Sequence, residues 1–135
     1  MFARIKIKTN KRVELKDITG KIKQKVKDFD IKDGILTLNV PHTTAGITIN
    51  ESADPDVKND IKNEMNKVIP FADNYKHREG NSAAHIKSTL VGCSQNIIIK
   101  DNKLLLGRWQ GIFFCEFDGP RSRNLNIKAI KDKSS

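Results

Sequence analysis

Apolar and polar residues alternate along several segments of the chain, and a period of two predicts β-strands. In residues 2–9, for example, Ile5 and Ile7 alternate with Arg4 and Lys6. The same period predicts strands in four later segments: 35–42, 46–51, 109–118 and 123–131. Residues 95–107 have two apolar runs separated by Asp101-Asn102, which predicts a hairpin with its turn at that dipeptide.

A period near four residues predicts helices elsewhere. Ile18, Ile22, Val26 and Phe29 recur at helical spacing, and Asp17 is placed to cap that helix.

The clearest helix start is Asp54-Pro55-Asp56, which combines a capping side chain, a proline at the first helical position and a nearby acid. This helix is predicted to end at Pro70. A short third helix is predicted over residues 83–91, with Asn81 as its cap and Gly92 at its end.

The elements sum to about seven strands and two or three helices, without regular alternation of strand and helix. This order predicts an α+β fold, with a mostly antiparallel sheet and helices to one side. The length suits a single domain over residues 1–135, with a frayed tail over 131–135.

Charge is uneven along the chain, whose net charge is +9. Residues 1–27 contain ten Lys or Arg and two acids, whereas residues 28–80 contain ten acids and six bases. Most of the basic residues near the start lie in the first predicted helix or strand, without aromatic residues between them for base stacking. A solvated helix face explains them better than a nucleic-acid surface, so nucleic-acid binding is the least favoured function.

The location is predicted from what the chain lacks. No run of roughly 18 apolar residues predicts a membrane span, and the first residues do not resemble a secretion signal. Cys93 and Cys115 do not form a CxxC motif, and two isolated cysteines of this kind are typical of reduced thiols. We therefore expect a cytoplasmic protein.

Residues 41–60, PHTTAGITINESADPDVKND, place polar side chains where apolar faces end. His42 continues the inward parity of its strand, and Glu51 continues that of the next one. The small residues that follow Thr43 and Thr44 allow backbone to approach a ligand. The alternative is structural, with His42 bonded to a loop and the threonines shaping a turn, and local sequence favours it.

Residues 104–123, LLLGRWQGIFFCEFDGPRSR, contain an acid within an aromatic strand. Parity places Glu116 on one face with Gln110 and Asp118, opposite an apolar face of Trp109, Phe113, Cys115 and Phe117. A buried glutamate must be paired or have a raised pKa, both of which are common at functional sites. The alternative is a wet sheet edge.

Two arginines follow that strand. Arg121 and Arg123 flank Ser122, an arrangement suited to binding phosphate or carboxylate. A basic turn that pairs with a neighbouring acid explains them equally well.

Residues 75–92, YKHREGNSAAHIKSTLVG, contain two of the three histidines, His77 and His85. Their spacing is not that of a zinc-binding helix, although His42 and acids elsewhere would complete a metal site. Asn81 lies between them, at a helix start where an anion would be favoured.

Together, the three blocks resemble, in order and spacing, the YjbQ-like family, often labelled secondary thiamine-phosphate synthase. The resemblance spans nearly the whole chain. It implies a sandwich-like β core with two or three helices and a homotrimer with a polar pocket close to the subunit interfaces. His42, His77 and His85 would then belong to one site.

The resemblance implies a transferase that joins a pyrimidine methyl diphosphate to a thiazole phosphate and releases pyrophosphate, as a weak or secondary activity. The residue types suit that chemistry, and we assign the following roles: catalysis by His42, His77, His85 and Glu116; substrate binding by Thr43, Thr44, Asn81, Gln110, Arg121 and Arg123; and a divalent metal, Mg²⁺ or Zn²⁺, on His42, His77, His85 and Glu51. The alternative is a homotrimer that binds a metal or a small phosphorylated metabolite without significant catalysis.

Overall fold

The computed structural model describes residues 1–134. Along that range the chain forms three α-helices and eight β-strands. In chain order they are β1 (Phe2–Lys8), β2 (Glu14–Asp17), α1 (Thr19–Phe29), β3 (Gly34–Asn39), β4 (Ala45–Glu51), α2 (Pro55–Val68), α3 (Ser82–Val91), β5 (Ser94–Lys100), β6 (Lys103–Leu104), β7 (Gln110–Glu116) and β8 (Ser122–Lys131).

The strands form two sheets, ordered β1-β8-β3-β5-β6 and β2-β7-β4. Every paired strand is antiparallel. One apolar core joins the sheets, with Leu36 and Leu125 of the larger sheet in the same cluster as Ile47 and Phe114 of the smaller one. The predicted α+β class with a sandwich-like antiparallel core is confirmed.

The smaller sheet is covered on both faces, which explains the nearly continuous apolar run in β7. Phe113 and Cys115 belong to a second cluster that includes Ala84 of α3, with Ile61 and Met65 of α2 packed against it. The face that carries Glu116 therefore looks toward the other sheet and is not a wet edge. Trp109 was predicted to belong to the core, but it precedes β7 and is 52% exposed.

One of the three predicted helix caps is confirmed: Asp54 accepts a hydrogen bond from the N–H of Asp56 at 2.9 Å. Asp17 ends β2 and lies one residue before Ile18, the cap position of α1, although its carboxylate accepts a bond from the N–H of Thr19 at 2.9 Å. Asn81 occupies the cap position of α3, but its side chain makes no capping bond. Its amide instead points toward the site described below.

Two chain segments differ from the prediction. β2 was not predicted, because a strand of four residues is too short to show a clear alternation of apolar and polar residues. The predicted frayed tail begins too early, since Lys131 is the last residue of β8 and Asp132 donates to the carbonyl of Asp33 at 2.9 Å. Ser135 lies outside the described residues. None of the helices described between residues 1 and 134 is long and apolar enough to cross a membrane.

A buried lysine links α3 to α2. Lys87 is fully buried, and its Nζ donates to Asn66 Oδ1 and lies 4.1 Å from the centroid of the Phe71 ring. The guanidinium carbon of Arg12 lies 3.6 Å from the same centroid. Burial, followed by the charge of Arg12, lowers the pKa of Lys87 to about 8.

The lowered pKa of Lys87 predicts that this residue contributes more to stability in alkaline solution. Between pH 8 and about 10.4, the ordinary lysine value, the folded state loses a proton from Lys87 that the unfolded state retains, so this contribution rises with pH. The raised pKa of Cys115 acts in the opposite direction above about pH 9, so we expect the free energy of unfolding to increase by about 1–3 kcal/mol relative to that of Lys87→Met across this range. Urea denaturation at successive pH values measures it. Lys87→Met should remove the increase, and the control Lys67→Met, at an exposed position of α2, should retain it.

Candidate functional site

A buried ion pair joins the end of β7 to the start of β8. Glu116 and Arg123 are 0% and 3% exposed. The Nε of Arg123 donates to Oε1 of Glu116 at 2.8 Å, and its Nη2 donates to Oε2. The pair is therefore bidentate, the geometry in which a guanidinium and a carboxylate bind most strongly.

Other donors complete the surroundings of the Glu116 carboxylate. Thr9 donates its hydroxyl to Oε1 at 2.8 Å, and the N–H groups of Phe117 and Asp118 donate to Oε2 at 3.1 and 3.0 Å. Burial by itself would raise the pKa of Glu116, but these bonds and the charge of Arg123 outweigh it and hold the pKa below its ordinary value. Glu116 is therefore ionised, so the paired alternative of the sequence prediction is the one that the fold adopts.

The backbone at Gly119 packs closely against the backbone of Lys11 and the side chain of Glu116. A Cβ on Gly119 would lie 2.3 Å from the carbonyl oxygen of Lys11 and 2.8 Å from Cγ of Glu116. Any larger residue at position 119 would therefore displace either the loop or the ion pair.

Arg123 is oriented from a second side. Its Nη2 also donates to the hydroxyl of Thr44 at 2.8 Å. Within residues 1–134, no group accepts a hydrogen bond from Nη1, and Arg123 lines an open cavity of about 620 Å³. The ion pair and Thr44 thus hold a rigid guanidinium in the cavity wall.

The cavity wall is polar and comes from four parts of the chain. The segment after β3 provides His42, Thr43 and Thr44, and the start of α3 provides Asn81 and His85. Arg121 and Arg123 close the wall from β8 and the turn before it, and the wall also includes Val40, Pro41, Glu79 and Cys93.

Asp118 connects Arg121 with Asn81. Arg121 donates to the carbonyl oxygen and to Oδ2 of Asp118, at 2.8 and 2.7 Å, and Asn81 Nδ2 donates to the same Oδ2 at 3.0 Å. The Oδ1 atom of Asn81 is buried and has no hydrogen-bond partner within residues 1–134. The predicted basic turn does pair with a neighbouring acid, and it lines the cavity as well.

His42 is neutral in this arrangement. Its Nε2 accepts a hydrogen bond from the backbone N–H of Asn124 at 2.9 Å, so the ring proton belongs on Nδ1. Burial, and then the charge of Arg123, lower the pKa of His42. The structural alternative had His42 bonded to a loop, but its partner Asn124 lies in β8, and His42 also lines the cavity with an N–H donor left on Nδ1.

His85 and His77 are neighbours, but only one of them lines the cavity. Their ring centroids are 5.6 Å apart, with the rings nearly perpendicular. His85 is part of the cavity wall, whereas His77 is not among its lining residues and lies 3.7 Å from the carboxylate of Glu79. The two histidines of the crowded segment therefore belong to one cluster, with His77 behind His85.

Two predicted site residues lie elsewhere in the chain. Glu51 and Gln110 are paired across β4 and β7, at the opposite end of the sheet from the pair of Ala45 and Glu116. Six residues of strand separate the two ends by about 20 Å. Gln110 accepts a hydrogen bond from the N–H of Gly107. Within one chain, neither residue can join the cavity.

The predicted metal ligands do not converge within the chain. Residues 1–134 contain no group of three or more His, Cys, Asp or Glu placed to hold a metal ion. Glu51 is remote from the histidines, and Glu116 is bonded to Arg123. The residues of a single chain therefore do not fit a metal site on His42, His77, His85 and Glu51.

Sequence reasoning missed Thr9 and Cys93. Thr9 lies two residues after Ile7 and so continues the inward face of Ile5 and Ile7. The same parity indicated His42 in its own strand and could have indicated Thr9. Cys93 gave no signal, because its place in the wall depends on the hydrogen bond that its carbonyl accepts from Val40.

Comparison with known proteins gives consistent matches. Residues 3–132 match a family described as UPF0047 protein YjbQ-like. A UPF0047 protein of Methanocaldococcus jannaschii is 62% identical over 133 residues, which are 98% of this chain and 96% of the relative. The UPF0047 protein YugU of Bacillus subtilis is 50% identical over 131 residues, covering 96% of this chain and 99% of its own.

Solved structures have the same fold. A YjbQ/UPF0047 protein from Clostridium acetobutylicum superposes with a TM-score of 0.93 at 52% identity, covering 95% of this chain and 99% of its own. A protein of unknown function from Sulfolobus solfataricus has the same TM-score at 32% identity, covering 98% of this chain and 97% of its own.

Proposed function

Since the chain belongs to the UPF0047 YjbQ-like family, we propose that its cavity binds the phosphate or diphosphate group of a small organic ester. We further propose that it transfers the organic group as a weak thiamine-phosphate synthase-like transferase. The observation that carries this proposal is the Arg123 guanidinium, which Glu116 and Thr44 fix in the cavity wall beside Arg121.

The surroundings of Arg123 support an anionic ligand. Arg121 brings a second guanidinium to the same wall, and neutral His42 offers the N–H of Nδ1. Fixed donors of this kind bind phosphate oxygens strongly, since charged hydrogen bonds are about twice as strong as neutral ones. The same donors stabilise negative charge that develops on a departing pyrophosphate.

The proposed transfer balances without a further reactant. The C–O bond between the pyrimidine methyl carbon and the diphosphate breaks, and its electron pair leaves with pyrophosphate. The thiazole nitrogen donates its lone pair to the same carbon, which forms the C–N bond of thiamine phosphate. His85 is the residue proposed to donate a hydrogen bond or a proton to the leaving oxygen.

A second function, binding of a phosphorylated metabolite without catalysis, has its own support. Glu116 is fully occupied by Arg123, Thr9 and two backbone N–H groups, so it has no free oxygen for acid–base chemistry. The family resemblance extends this proposal, like the first, to a homotrimer.

Arg121→Ala should weaken the binding of inorganic pyrophosphate by about 10–100-fold relative to the unaltered protein, because a charged hydrogen bond contributes about 1.5–3 kcal/mol. Titration calorimetry of untagged protein measures the affinity. The control is Arg4→Ala, since Arg4 is an exposed arginine bonded to Asn126 and does not line the cavity. Equal affinities in all three proteins, or no binding to any of them, would refute the anion site.

Transfer is tested separately, with protein in stoichiometric excess over a pyrimidine methyl diphosphate and a thiazole phosphate. Formation of thiamine phosphate supports the transferase. Pyrophosphate binding without any product favours the binding function.

A further inference from the structure

A second cavity adjoins the first along a shared wall. Its volume is about 380 Å³, within the usual range of roughly 300–1,000 Å³ for small-ligand pockets. His42, Thr43, His85 and Cys93 line both cavities. The second cavity extends from that wall along α3.

The two cavities differ in charge. The first has Arg121, Arg123 and Glu79 in its wall. The lining of the second, all within residues 1–134, includes no Asp, Glu, Lys or Arg and combines small groups such as Ala45 with the hydroxyls of Ser88 and Thr89. The second cavity therefore suits a small, uncharged group that can make hydrogen bonds.

Ser88 indicates where such a group would bond. Its side chain is buried, with 8% of the residue exposed, and its Oγ has no hydrogen-bond partner within the described chain. Buried hydroxyls are normally bonded, and one left unbonded destabilises the fold. Asn81 Oδ1 is a second unpartnered atom, and it belongs to the first cavity. The wall of each cavity thus includes one residue with a buried, unpartnered polar atom, whereas Asn124, which has another such atom, lines neither cavity.

We propose that the two cavities are compartments of one site and that the second receives the organic part of the phosphate ester, a small polar heterocycle bonded by Ser88. This inference rests on the proposed phosphate binding in the first compartment. The shared wall places the ester bond between His42 and His85. Both histidines line both compartments, whereas the two arginines line only the first.

Affinity measurements separate the two compartments. The pyrimidine methyl phosphate should bind the unaltered protein at least about tenfold more tightly than inorganic phosphate. Ser88→Ala should weaken binding of the pyrimidine ester about fivefold and leave inorganic phosphate binding unchanged, because only the organic part contacts position 88. Ser88→Val, which fills the compartment, should weaken the ester further. The control Ser94→Ala changes an exposed serine of β5 that lines neither cavity.

Cys93 provides a readout that needs no phosphate. It is exposed in the shared wall, while Cys115 is buried and burial raises its pKa to about 12, so iodoacetamide should alkylate only Cys93. The corresponding pyrimidine methanol, which has no phosphate, should slow this alkylation in the unaltered protein but not in Ser88→Val.

The outcomes distinguish the two proposals. If inorganic phosphate binds but Ser88 substitutions affect neither the ester nor the alkylation, the second compartment is refuted and phosphate binding stands. If the pyrimidine methanol protects Cys93 while neither phosphate nor pyrophosphate binds, the compartment stands and the phosphate function is refuted. If no probe binds or protects, both are refuted.

Discussion

Replacing Glu116 with glutamine should lower the free energy of unfolding by about 3–5 kcal/mol, the usual effect of breaking a buried ion pair from one side. Glutamine preserves the shape of the side chain but leaves the guanidinium of Arg123 buried without a counter-charge. The NH₂ group of the new glutamine also cannot accept the hydrogen bonds that the N–H groups of Phe117 and Asp118 donate to the carboxylate of Glu116. Urea denaturation at neutral pH measures the loss.

Acid provides an independent check of this ion pair. The pKa of Glu116 is lowered in the folded protein, so its contribution to stability is present above the ordinary glutamate value and is lost as the pH falls through the lowered value. The unaltered protein should therefore lose stability in acid more steeply than Glu116→Gln does.

The double variant Glu116→Gln/Arg123→Met is the matched control, because it removes both charges. It should be more stable than Glu116→Gln alone if an uncompensated guanidinium is the cause of the loss. A single variant as stable as the unaltered protein, with the same dependence on acid, would contradict the ion pair described above.

Replacing His85 with asparagine should lower the rate of thiamine phosphate formation by about 10²–10⁴-fold, the usual contribution of a positioned acid or base. Pyrophosphate affinity should change less than about threefold, because the two arginines retain the anion. Single-turnover product formation and titration calorimetry measure these quantities. A loss of turnover without a loss of binding separates a catalytic histidine from one that only completes the cavity wall.

His77 provides the matched control for His85. Its ring contacts His85 but is absent from the cavity lining, so His77→Asn should lower the rate only about threefold, through a less ordered His85 ring. Equal losses in the two variants would contradict a distinct role for His85. An unchanged rate in both would place the chemistry on other residues.

The sequence predicted the individual parts of the site better than their connections. Strand parity separated the face of Glu116 from that of Phe113 and Cys115, and in the structure Ile112 and Phe114 pack in one cluster while Phe113 and Cys115 pack in the other. Parity could not show that this face meets the larger sheet, since a period of two gives the side of a strand and not its neighbours. The same limit explains why Glu51 was wrongly grouped with the histidines. Parity gave the side of β4 on which it lies, but not that it lies at the far end of the strand from the cavity.

By itself, the sequence determined the local structure, the fold class and the family. Alternation marked five of the eight strands, and two apolar runs around Asp101-Asn102 marked two more. Asp54-Pro55 marked the start of α2, and three motif blocks carried the family resemblance, because these features depend on neighbours within a few residues. Only the tertiary structure decided which partner each polar group found. Thr9 meets Glu116 across 107 residues and the backbone of Asn124 meets His42 across 82, and such contacts arise from strand order and register, which no local pattern specifies. The site exists where those distant segments converge, so its charge, its rigid guanidinium and its second compartment became visible only in the folded chain.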